Sequence, residues 1–144
     1  MVDTTLTQKE VRYPRAMELK LEEYAAVIAA VPAVTVSAED GADGTAGITV
    51  QVNDQNGTAV AYNCLVRLWL ADTVMTAPDA TNKTAFAVGT GVELEEVTAQ
   101  GDYRLLTDAT GTLVATLTAA DGTYYVMVEV DGKVSSAEIT VTGN

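Results

Sequence analysis

The stretch AADGTYYVMVEVDGK, residues 119–133, decides how this chain is read. Beyond Asp121 and Gly122 its residues alternate, with Tyr124, Val126 and Val128 on one side of an extended backbone and Tyr125, Met127 and Glu129 on the other. A helix groups apolar residues at a period near 3.6 and does not separate these two sets, whereas a strand does. Asp-Gly at 121–122 and again at 131–132 supplies residues that tolerate positive φ, so the run reads as one strand bounded by two tight turns. Tyr124, Val126 and Val128 form its predicted core face.

Working outward, the period of two holds from Pro32 to the end of the chain. Candidate strands fall at 33–37, 47–53, 62–71, 84–88, 92–97, 103–107, 112–118, 123–130 and 135–142. Turn signals separate them, at 39–44 (EDGADG), 54–57 (DQNG), 108–111 (DATG), 120–122 and 131–132. Many short strands without interleaved helices predict an all-β sandwich of about 7–9 strands. Alternation puts Ile48, Val50 and Val52 on one inward face, Cys64, Val66, Leu68 and Leu70 on another, and Leu113, Ala115 and Leu117 on a third.

Upstream of Pro32 the composition changes, from Thr, Val, Gly and Asp to Leu, Glu, Ala and Lys, which divides the chain into an arm, 1–32, and a sandwich domain, 33–144. Pro14 suits the first turn of a helix, and Met17, Leu21, Tyr24 and Ile28 make a stripe down one side of a helix over 15–30. Met17, Leu19 and Leu21 also alternate as a strand would. A helix this short is marginal alone, so its stripe packs either on its own domain or on another chain. Charge divides at the same boundary. The arm holds Lys9, Arg12, Arg15 and Lys20 against five acidic residues, and the remainder holds four cations against fifteen.

The formal charge of −12, with only 8 Lys plus Arg, excludes nucleic acid as an expected partner, because phosphate binding needs clustered cations. With no histidine and a single cysteine, Cys64, the usual general base and zinc ligands are missing, and no intrachain disulfide can form. No G-x-S-x-G or S-x-x-K pattern is present, so no catalytic residue, metal or cofactor is expected. No signal-peptide pattern opens the sequence and no apolar run approaches the ~18 residues of a membrane span, so a cytoplasmic site of synthesis and no membrane partner are expected.

The run ITVQVNDQNGTAVAYNCLVRLWL, with D-x-N-G at 54–57, T-D-A-T-G at 107–111 and D-G-T-Y at 121–124, resembles a bacterial immunoglobulin-like domain of the kind found in tailed-phage virion proteins. The resemblance covers about 34–143 and implies an immunoglobulin-like β-sandwich. In that fold Tyr124 would be a tyrosine corner, its hydroxyl bonding back to a backbone group; the plainer reading is a tyrosine that favours strands. A single such domain behind a short arm is similar to phage head decoration or cement proteins. That likeness implies a virion protein on the capsid surface, bound to the major capsid protein, with neighbouring copies of itself as further partners. The contact residues expected are Lys9, Val11, Arg12, Tyr13, Arg15, Met17, Lys20, Leu21, Tyr24 and Ile28. The alternative is a tail or cell-surface module that recognises carbohydrate or a receptor.

Three further features each carry two readings. Trp69 shares parity with Leu65 and Arg67 and is either a contact anchor, with Tyr62, Tyr103 and Tyr125 as further stacking surfaces, or lies beneath the long connection 73–91. That connection either touches a neighbouring subunit or folds as an edge hairpin using 84–88. Glu39, Asp40 and Asp43, or Asp54 with Asn56, are either hard oxygen ligands for calcium or ordinary turn residues. Cys64 is read as a buried small hydrophobe.

Overall fold

The computed structural model describes residues 33–41 and 43–143, which fall in the compact unit Pro32–Asn144. The predicted helix over 15–30 and all the arm contacts lie outside the described residues. Among the described residues nine strands follow in chain order: β1 (Ala33–Glu39), β2 (Thr45–Asn53), β3 (Leu65–Ala71), β4 (Lys83–Thr90), β5 (Val92–Thr98), β6 (Asp102–Leu106), β7 (Thr112–Ala119), β8 (Gly122–Val130) and β9 (Lys133–Val141). They form two antiparallel sheets, β1-β2-β7-β4 and β5-β6-β3-β8-β9, packed as an immunoglobulin-like sandwich.

The core lies where the alternation puts it. Ile48, Val50, Val52, Leu113 and Leu117 are fully buried, as are Val66, Leu68, Leu70, Leu105, Val126 and Val128 from the other sheet. Each such side chain contributes about 1.5–3 kcal/mol by leaving water. β8 buries both faces, since Met127 is as inaccessible as Val126. The strand predicted over 62–71 begins at Leu65. Asn63 and Cys64 instead lock onto the next turn: Asn63 Nδ2 donates to Thr107 O at 2.8 Å, Cys64 N to Thr107 Oγ1 at 2.8 Å, and Thr107 N to Cys64 O at 3.0 Å.

The path through the middle of the sandwich was not legible in the sequence. In a variable immunoglobulin domain the two strands after the position of β3 extend the same sheet. Here β4 crosses to the far edge of the other sheet, pairing with β7, and β5 returns to the outer edge of the first. The pairs β2·β7 and β3·β6 are thereby nested around the β4–β5 corner. Gly91 makes that corner at φ 95°, and a Cβ there would sit 2.6 Å from Leu106 O. Only glycine fits such a site without strain. Residues 84–88 are accordingly part of a full edge strand and not a hairpin of their own.

Candidate functional site

The outer face of the five-stranded sheet is set by the register of β5, β6, β3 and β8. Cross-strand partners share a face, so the register sets rows on its outer surface. One row is Val92, Leu106 and Leu65; the next is Glu95, Arg104, Arg67 and Glu129; a third is Thr98, Asp102, Trp69 and Met127. Arg67 reaches from its row to the next, its Nε and Nη2 donating to Asp102 at 3.2 and 3.0 Å, and lies 4.6 Å above the Trp69 ring. The Asp102 carboxylate holds Arg67 still more firmly protonated than usual. Arg104 pairs with Glu95 at 3.1 Å.

Trp69 is the centre of a small second core with Ala71 and Met127. Its ring is only 8% exposed, and Nε1 donates to Thr76 O at 2.8 Å. The connection 72–82 therefore covers the ring, and it is tied at several points: Thr76 Oγ1 donates to Thr73 O at 2.6 Å, Asp79 N to Leu70 O at 2.8 Å, and Thr81 N to Asp79 Oδ1 at 2.8 Å. Trp69 thus lies beneath the connection, the second of the two readings its sequence position left open. Tyr103, 1% exposed, is likewise withdrawn from solvent, and Tyr125 is half-buried with its hydroxyl on Glu138 at 3.1 Å; of the four aromatic residues only Tyr62 is exposed. What the loop does present is its tip, Val74 and Met75, both exposed, with Met75 at φ 58°.

Beneath the same loop lies an arrangement that the sequence did not signal. The Lys83 side chain is fully shielded; its Nζ donates to Asp72 Oδ1 at 2.7 Å and to Thr81 O at 3.1 Å and stands 4.7 Å over the Tyr124 ring. Tyr124, itself 3% exposed, donates its hydroxyl to Ala120 O at 2.7 Å, and Ala120 N returns to Asn82 O at 2.8 Å. The loop, the β7–β8 turn at Ala120 and β8 are thus one hydrogen-bonded unit. An isolated lysine in a Thr-rich stretch carries no periodic signal that marks it as interior.

Two of the candidate oxygen ligands, Asp54 and Asp40, are used by the backbone. Asp54 Oδ1 accepts from Asn56 N at 2.8 Å and Thr58 N at 3.0 Å, and Asp40 Oδ1 accepts from Thr140 N at 2.9 Å. Among the described residues no group of three His, Cys, Asp or Glu is placed to hold a metal ion. Cys64 is buried, and that burial pushes its thiol pKa up, away from nucleophilic thiolate.

No protein-family model matches this chain, and no curated protein matches it. Among solved structures, the cohesin module of a Clostridium perfringens family 33 glycoside hydrolase is similar over 80% of this chain and 99% of its own, at 14% identity and a TM-score of 0.48. Domains 4 and 5 of the S-layer protein SbsC are similar over 78% of this chain and 54% of theirs, at 16% identity and a TM-score of 0.42. The human B7-H4 IgV-like domain is similar over 79% of this chain and 99% of its own, at 15% identity and a TM-score of 0.40.

Proposed function

We propose that this protein is a non-enzymatic structural module: a capsid decoration subunit of a tailed bacteriophage, held to the major capsid protein through residues 1–32 with the sandwich projecting outward. The observation that carries this reading is the division of charge. In the described domain Arg67, Lys83 and Arg104 each neutralise one carboxylate in an ion pair, which leaves most of its fifteen acidic residues uncompensated, while residues 1–20 carry four of the eight cations of the chain. An acidic outer domain keeps particles soluble and mutually repelling, and a near-neutral arm with cations can meet an acidic shell. For the carbohydrate-binding alternative, two of the four aromatic residues, Trp69 and Tyr103, are covered, and Tyr62 alone is exposed.

The test reverses Lys9, Arg12, Arg15 and Lys20 to Glu in the full chain and measures occupancy on purified shells, with circular dichroism to check that the sandwich is retained. A large fall in occupancy is expected. Occupancy equal to that of the unmodified chain would remove the reading.

A further inference from the structure

The two sheets differ in width, and the mismatch falls entirely on one side. At β1 and β9 the rim is closed: Ser135 Oγ donates to Val34 O at 3.1 Å, Thr142 N donates to Gly41 O at 3.2 Å, and Gly41 bridges Val141 in parallel. On the opposite side one sheet ends at β4, whereas the other runs past β6 to β5. β4 lies against β6, where the Phe86 and Tyr103 rings stack at 4.3 Å, so β5 overhangs. All seven of its residues are exposed, which is the signature of a strand with neither face covered. β4 and β5 join at Gly91 without pairing, and among the described residues no strand pairs with the outer edge of β4, which leaves a slot beside that edge under the overhanging β5.

The slot has a definite chemistry. Glu93 pairs across from Leu105 and Glu96 from Tyr103, both core residues, so these two carboxylates stand on the core-side face of the overhang. The Tyr103 hydroxyl is buried there without a well-formed hydrogen bond. Glu96 stands directly across from Tyr103 in the register, and burial, followed by that carboxylate, raises the hydroxyl's pKa. The edges also differ in how they are guarded. Each edge strand has two register shifts, but β5 also carries three glutamates, a device that keeps edge strands from pairing. β4 carries neither charge nor proline after Lys83, and between its bulges Ala85–Val88 is regular against β7.

We propose that the slot receives an extended basic segment of a partner polypeptide, which pairs along β4 as a fifth strand and sets lysine or arginine side chains against Glu93 and Glu96. Strand addition takes affinity from backbone hydrogen bonds and specificity from alternate side chains. Here those side chains enter an acidic overhang on a domain whose own cations are largely paired. The docking is independent of the arm: it uses the sandwich alone and stands or falls apart from shell attachment.

The full chain is titrated with a capped eight-residue peptide alternating Lys with Val, and with its Glu/Val counterpart, by calorimetry and by amide hydrogen exchange. The lysine peptide is expected to bind and to slow exchange over 84–90, and the glutamate peptide to do neither. The double substitution Glu93→Gln/Glu96→Gln, at exposed positions, is expected to weaken binding by about three- to tenfold without shifting the melting temperature. Protection confined to other strands, equal binding of the glutamate peptide, or undiminished binding by the double variant would overturn the proposal. So would β4 amides already protected in the free chain and exposed on deleting 1–32, which would make the occupant this chain's own arm.

Discussion

Tyr124 and Lys83 show how single side chains fix the end of the sandwich. The Tyr124 hydroxyl is the donor for Ala120 O, so Tyr124→Phe leaves a half-buried carbonyl without that partner. The expected loss is about 1–2 kcal/mol of unfolding free energy, measured by urea titration. The pair Lys83–Asp72 is lopsided, with the Lys83 side chain 0% and the Asp72 side chain 40% exposed. Removing the lysine frees a carboxylate that water can reach, whereas removing the aspartate strands a buried ammonium. Asp72→Ala is therefore expected to cost more than Lys83→Met, by about 2 kcal/mol in the same titration. Equal losses would show that the ammonium is hydrated in the variant and not buried.

Among the elements, the connection 72–82 and the β4–β5 corner carry what is particular to this sandwich. The loop is ordered by the bond from Trp69 Nε1 to Thr76 O. Trp69→Phe keeps an aromatic ring over Met127 but loses that donor, so amide exchange over 73–77 is expected to quicken while the core strands keep their protection. At the corner, Gly91→Ala meets both a positive φ and the Leu106 carbonyl. It is expected to lower the melting temperature, at a cost of about 1–3 kcal/mol. Gly57 is the natural control, since its φ is also positive but nothing lies within 4 Å of the added Cβ, and alanine there is expected to cost less.

For the whole molecule, the titrating groups set a stability window. The carboxylates of Asp79 and Asp108 are held below the ordinary value, the first chiefly by Thr81 and the second by Thr112 and Thr110. A lowered folded pKa means stability present above the unfolded pKa, about 4, and lost as pH falls through the folded one. At the alkaline end Tyr103 is raised, by burial first and Glu96 second, so its contribution is complete below pH of about 10 and is lost as pH rises beyond that. Melting temperature measured against pH is expected to drop above about pH 10, and Tyr103→Phe to flatten that drop. Because the hydroxyl has no good partner to lose, the same variant is expected to be at least as stable as the parent at pH 7.

Strand alternation in 119–133 and around it is a local property of the chain, so the all-β class, the turn positions and the inward faces of β2, β7 and β8 were determined by sequence alone. Burial of Cys64 followed from the same parity. What only the tertiary structure decided depends on contacts between distant residues. Nothing in the spacing of Thr84–Val88 says that it pairs with β7 and not with a neighbour in sequence. Lys83 becomes interior only because Asp72 and the Tyr124 ring surround it, and Trp69 only because 72–82 closes over it. The overhang of β5 is the plainest case: period tells which face a residue takes, but whether that face is covered depends on how wide the opposite sheet turns out to be.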